Sequence, residues 1–303
     1  MNILENINNT VVPEMDWDTE KNISYTQLSA WTECPHRWKQ MYIDKIKQPP
    51  SIHLSFGTAM HEVLQTYLEI LYNDSAKNAD LLDLNEMLRD KLIEQFKMRE
   101  QEEGKSPCTK EELQEFFEDG VAIIDFVKKR RNDYFGKRGF KLIGCEVPIE
   151  VMLKKDIKMV GYLDVVILDE IHNTIKIIDI KTSTMGWNKW QKMDENKTQQ
   201  LLLYKQFYAE QYNHPVDKID VEYFIVKRKL WENAMYPQKR VQKFVPASGK
   251  PSMNKVARRL DIFLNEAFTD GGEYKVDTIK ALPSKKACRW GEFNQTEHCK
   301  WGM

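Results

Sequence analysis

The chain has 303 residues, 45 basic and 46 acidic side chains, and 42% hydrophobic residues. That near-average balance argues against a fibre or a wholly disordered chain, and leaves enough apolar material for one large core or two modest ones. No apolar run approaches the roughly 20 residues of a membrane span. The opening "MNILENINNTVVPEMDWDTEKN" also lacks the basic start and apolar block of a signal peptide, so a cytoplasmic chain with no membrane partner is expected.

Residues 1–22 are polar and read as a flexible arm, with 23–303 as one folded domain. A first helix begins near Gln27, with Leu28, Trp31, Trp38 and Tyr42 as core contacts. A second covers "HLSFGTAMHEVLQTYLEILY", where Met60, Val63, Leu64, Tyr67, Leu68 and Leu71 recur at helical spacing. An acidic helical insertion occupies about 74–140. It contains a helix from 80 to 103, a break at "EEGKSPC", and a helix opened by a capping box at Thr109 and Glu112 that runs to about Tyr134. From Lys141 the texture changes to short β-branched runs, "KLIGCEVPIEVML", "IKMVGYLDVVIL" and "TIKIIDIKT", separated by turn-like residues. A helix over 196–212, the strand "IDVEYFIVKRK" and a helix over 252–268 follow. The catalytic sheet is thus expected over about 141–230, and a C-terminal helix with a cysteine segment over 250–303. The order predicts a mixed α/β fold, a central sheet flanked by helices.

Two charged residues interrupt the apolar strand "IIDIKTS": Asp179 and Lys181, which alternate onto one face. Asp164 lies fifteen positions earlier, a spacing that suits two antiparallel strands joined by a turn. Two neighbouring carboxylates repel unless a cation lies between them, and oxygen ligands with open positions favour Mg²⁺ or Mn²⁺. A lysine beside them can hold a water or stabilise charge on a phosphate. The plainer alternative is a buried Asp–Lys ion pair.

"GYLDVV", "DIKTS" and "QLLLY", in that order, resemble the RecB-like branch of the PD-(D/E)XK nuclease superfamily, which includes phage and CRISPR-associated exonucleases. "GTAMHEVL" and "LSAWTECPHRWKQMYI" are similar to that branch's histidine helix and entry helix. The resemblance implies a restriction-endonuclease-like core in which Asp164, Asp179, His61 and the carbonyl of Ile180 ligate the metal. It further implies that Lys181 addresses the water, and that Gln200 and Tyr204 contact the nucleic-acid backbone. His61 alone would read as a satisfied helix histidine. Glu146 and Glu150, on the preceding strand, are either extra acids near the metal or solvent-facing strand residues. Trp187 and Trp190 either stack on unpaired bases or cap the core.

Five cysteines in a cytosolic-looking chain argue against a disulfide framework. The branch often carries a [4Fe–4S] cluster. Cys34, Cys288 and Cys299 match three of its ligands, and Gly291 stands where the fourth belongs. Zinc held with His36 or His298, or a remnant of free thiols, are the alternatives.

The resulting expectation is a metal-dependent deoxyribonuclease, an exonuclease acting on single-stranded or duplex DNA ends in recombination or repair. It would stand alone, form a homo-oligomer, or work with a recombination partner protein. Basic stretches at 226–231, 238–240 and 254–260 would line its groove. A sequence-specific endonuclease and a catalytically silent DNA-binding module are the rivals.

Overall fold

The computed structural model describes residues 21–104, 106–136, 138–289 and 291–302. Most of the expected N-terminal arm, residues 1–20, lies outside the described residues. Asn22 does not belong to an arm: with Ile23 it forms a short strand, β1, paired parallel to Lys158 and Met159.

The expected entry helix is two helices, α1 (Tyr25–Glu33) and α2 (Pro35–Tyr42). Ser24 caps the first, and Pro35 ends its hydrogen-bond ladder while opening the second with a preset φ. The long amphipathic helix α3 (Ile52–Asn73) follows, then α4 (Ala76–Leu81) and α5 (Leu84–Glu103). Asp83 separates these two by capping Glu86 N–H, and Gly104, with φ of 66°, closes α5 in the left-handed conformation. The Thr109–Glu112 capping box is formed and starts α6 (Lys110–Tyr134).

The sheet contains β2 (Phe140–Lys154), β3 (Ile157–Asp169), β4 (Thr174–Ser183), β5 (Ile219–Lys227) and β6 (Val241–Phe244) besides β1. β2, β3 and β4 form the expected antiparallel meander. β5 lies parallel to β4, which requires a crossover. The helices α7 (Lys189–Met193), α8 (Glu195–Thr198) and α9 (Gln200–Gln211) supply it. α10 (Lys250–Ala267) and the short α11 (Lys285–Arg289) complete the chain. This is the mixed sheet flanked by helices that the sequence predicts.

The sheet separates two hydrophobic cores. One gathers Leu28, Trp38, Ile177, Leu202, Tyr208 and Phe263 from α1, α2, β4, α9 and α10. The other gathers Phe56, Met60, Leu88, Ile123, Ile178 and Phe224 from α3, α5, α6, β4 and β5. Ile177 and Ile178, adjacent in sequence, therefore anchor β4 into opposite layers, as the period-2 pleat demands.

One edge of β3 carries β2 along its whole length. Its other edge is shared: β1 pairs with Lys158 and Met159, and β4 pairs from Asp169↔Thr174 to Val165↔Ile178. Residues 160–164 of that edge pair with neither strand, so β3 and β4 part in a fork. The pleat of β3 turns over there as well, because Leu163 faces the first core and Val165 the second.

Candidate active site

The fork gathers the charged residues. Asp164 and Asp179 are the first residues beyond the last β3–β4 rung, Val165↔Ile178. The N–H of Ile180, left without a β3 partner, donates to Asp164 Oδ2 at 2.6 Å. On its far side β4 stays fastened, with Asp179 opposite Tyr223 and Lys181 opposite Ile225. Asp179 is 3% exposed, whereas the Lys181 side chain, 31% exposed, reaches outward. Lys181 Nζ stands 2.8 Å from Asp179 Oδ2 but directs its hydrogen bond to Oδ1, at 3.0 Å. Oδ2 is buried and in ionic contact with that ammonium, but accepts no well-formed hydrogen bond.

One ammonium serves two carboxylates, Asp179 buried and Asp164 largely so. Burial pushes Asp164 up to about 6, assisted by Glu146 and opposed by Lys181 and the Ile180 N–H. Burial also pushes Asp179 up to about 6; Lys181 pulls it down and Asp164 pushes it up. Burial works against the Lys181 charge, but the two aspartates outweigh it and raise the ammonium pKa. His61, on α3, places Nδ1 3.5 Å from Asp164 Oδ2. Burial first, then the charge of Lys181, lowers its pKa, so the ring is neutral at pH 7 and able to ligate.

Two carboxylates and a neutral imidazole are donor types suited to a hard divalent cation with open positions. Among the described residues no three His, Cys, Asp or Glu side chains are grouped so that they could hold a metal ion. Asp164, Asp179 and His61 are the residues that would share one, with backbone, water and substrate supplying the remainder.

A family model of the PD-(D/E)XK nuclease superfamily matches residues 22–299. The chain belongs to the PD-(D/E)XK nuclease superfamily. No curated protein matches it. Nucleases of this superfamily are metal-dependent hydrolases that use Mg²⁺ or Mn²⁺ on DNA, and this nuclease carries their mixed central sheet flanked by helices.

Two supports of the nuclease's fork were not legible beforehand. The Gln65 amide, one turn after His61 on α3, donates to Glu146 Oε1 and, at 3.1 Å, to the Asp164 carbonyl; the i,i+4 spacing was its only signal. Glu146 itself has φ of 50°, a strained conformation for a glutamate, and its exposed carboxylate faces the same cluster. Gly161 is the second. A Cβ there would come within 2.8 Å of Tyr204 Oη, which explains why a glycine stands three residues before Asp164. Tyr204 is buried on α9, is held up at about 12 chiefly by that burial, and accepts from Gln200 Nε2 at 3.2 Å. Gln200 and Tyr204 thereby stand against the fork.

Other expected residues lie elsewhere. Glu150 pairs with Lys158 at 2.5 Å, outside the cluster. Trp187 cannot stack on bases: it is 7% exposed and packs on Tyr223 and Phe244, so it caps the core, while Trp190 is exposed. The basic stretches are largely committed to internal partners. Arg228 stacks 3.8 Å from the Phe116 ring and pairs with Asp119 at 2.7 Å, and Lys229 pairs with Glu115 and Asp119. In 254–260, Arg259 binds Gln199 and Asn196, and Lys255 binds Glu195.

Cys34, Cys288, Cys299, His36 and Gly291 line one cavity of about 30 Å³. Three thiols with a glycine in the fourth place do not fit a [4Fe–4S] cluster. The C-terminal segment is joined to α2 by other means: Arg37 donates to both oxygens of Glu292 at 2.9 and 2.7 Å, and Gln40 donates to the His298 carbonyl. Among the described residues no helix is long and apolar enough to cross a membrane.

Proposed function

We propose that this protein is a RecB-like exonuclease that hydrolyses DNA from its ends. The observation that carries the reading is the pair of carboxylates at the β3–β4 fork, Asp179 buried and Asp164 largely so, served by a single lysine. As a structural ion pair the arrangement would hold one acid too many.

Asp164, Asp179 and His61 would hold Mg²⁺ or Mn²⁺ together with the Ile180 carbonyl. Bound there, the ion supplies Lewis-acid activation of water and neutralises the scissile phosphate. Lys181, more exposed than the Asp179 it pairs with, orients the attacking water and stabilises the charge that develops on the phosphate. Its ammonium is fixed by Asp179, so little reorganisation accompanies the reaction. Gln200 and Tyr204, joined to each other on α9 with Tyr204 against Gly161, brace the site and meet the DNA backbone. Resemblance to a mostly exonucleolytic branch supports action at ends, and recombination or end repair as the setting.

End-labelled linear and circular single-stranded DNA incubated with Mn²⁺ test this, comparing wild type with Asp179→Ala. Wild type alone degrades the linear DNA, circles are spared, and the label gives the direction. Cut circles would make the protein an endonuclease. Binding without any metal-dependent cutting would leave a silent module.

A further inference from the structure

Beyond β5 the chain forms a loop whose base is rigid and whose tip is apolar. At the base, Arg228 N–H donates to the Ser183 carbonyl at 2.9 Å and Lys229 N–H to the Thr184 carbonyl at 2.7 Å, so the loop is tied to the strand that carries Asp179 and Lys181. Arg240 Nη1 donates to the carbonyls of Lys227 and Arg228 at 3.3 and 2.7 Å. The tip is closed by Gln238, whose side-chain amide accepts from Trp231 N–H at 3.0 Å and donates to its carbonyl at 2.7 Å. A backbone held at both ends would be expected to tuck its large side chains inward. Instead Trp231 is 71% exposed, Met235 92% and Tyr236 79%.

Isolated exposed aromatics are ordinary on a protein surface, but a cluster on an ordered loop marks a contact site. Trp231 and Met185 line one groove of about 590 Å³, within the size range of small-ligand sites. Met185 follows directly on the strand of the site. Ser183, the last residue of β4, lies two residues and about 7 Å beyond Lys181.

The surrounding charge names the occupant. Lys227, Lys239 and Arg240 stand at the root, and Glu232 is the acid of the tip. Aromatic faces above a basic root are the combination that binds unpaired nucleic acid, because every base has a π-face and every linkage a negative charge. An anionic membrane also attracts aromatic and basic side chains together, but the tie of this loop to β4, the strand of Asp179 and Lys181, favours a DNA strand bound for the fork.

We infer that Trp231 and Tyr236 stack the unpaired bases of a single-stranded DNA end and, with the cations at the loop's root, deliver that strand to the β3–β4 fork. The inference rests on the nuclease reading and adds its substrate class, single-stranded ends in preference to blunt duplex.

Fluorescence anisotropy of labelled oligothymidylate and of a blunt duplex, in chelator so that no cutting occurs, tests it on the full chain. Wild type is compared with Trp231→Ala/Tyr236→Ala and with Trp231→Phe/Tyr236→Phe; thermal melting establishes that each variant is folded. Loss of stacking weakens single-strand binding by about tenfold or more in the alanine variant. The phenylalanine variant binds as wild type does, and duplex binding moves less than about twofold. Unchanged single-strand binding, or equal losses on both DNAs, overturns the inference. Unchanged binding accompanied by loss of self-association would assign the tip to a second copy of the chain and overturns it too. Cleavage with Mn²⁺ is read in parallel. If wild type cuts and the alanine variant binds and cuts equally well, the inference fails while the nuclease reading stands. If wild type cuts nothing but single-strand binding depends on the tip, the nuclease reading fails and the binding role stands.

Discussion

Replacing Asp164 by asparagine should stabilise the metal-free protein while abolishing its response to metal. The carboxyl's rise from 3.8 to about 6, at about 1.4 kcal/mol per pH unit, means that ionising Asp164 costs the fold on the order of 3 kcal/mol. Asparagine is neutral, and its Oδ1 can still accept from Ile180 N–H. The sign follows from proton linkage: a carboxyl whose folded pKa is raised contributes stability below about pH 4 that is lost as pH rises through about 6. Wild type and Asp164→Asn should therefore melt together near pH 4 in chelator and separate by about 5 °C at pH 8, with the variant higher. Added Mg²⁺ should stabilise the wild type by about 2.7 kcal/mol at a hundredfold excess over Kd, a rise of about 4 °C in melting temperature, and leave the variant unmoved. Thermal melts at the two pH values, with and without metal, provide the check. A variant less stable than wild type at pH 8 in chelator would show Asp164 to be a member of a stabilising ion pair and refute the reasoning.

Gly161→Ala should drive a methyl into Tyr204 Oη, costing about 1–3 kcal/mol in urea unfolding and lowering cleavage; Tyr204→Phe in the same chain should recover part of both. Arg228→Met should cost about 1.5–3 kcal/mol, because buried Asp119 loses a charged partner and keeps only the more exposed Lys229, and Asp119→Leu added to it should recover part of the loss in the same unfolding assay. Trp187→Ala should cost about 3–5 kcal/mol as a core deletion, whereas Trp190→Ala, at the surface, should stay within about 0.5 kcal/mol.

What could be seen in the sequence was whatever depends on local period. The alternation of β4 places Asp179 and Lys181 on one face, the spacing of α3 places His61 among core residues, and the Thr109 box fixes the start of α6. Where β3 and β4 stop pairing was invisible, because "GYLDVV" and "IIDIKTS" carry nothing that marks the end of a ladder. The reason for Gly161 was hidden as well, since Tyr204 reaches it from a helix some forty residues further on. Trp187 was ambiguous until β6 brought Phe244 beneath it, and β6 is too short, as is β1, to announce itself. The commitment of Arg228 and Lys229, within one basic cluster, was hidden for a related reason. The acids that occupy Arg228 and Lys229 come from α6, far away in the chain.

The fork has one more consequence. Beyond Ile178, β4 presents an edge with no strand beside it in the middle of a sheet, and such an edge ordinarily invites another chain to add on and aggregate. Here the risk is contained. Asp164 occupies the Ile180 N–H, and α3 lies against the edge, with Gly57 so close that a Cβ there would sit 3.4 Å from Thr182 Oγ1. The protein thus keeps backbone carbonyls within reach of small ligands while denying the same edge to an invading strand. A bulkier residue at position 57 would lift the helix, and the first symptom to appear should be self-association rather than unfolding.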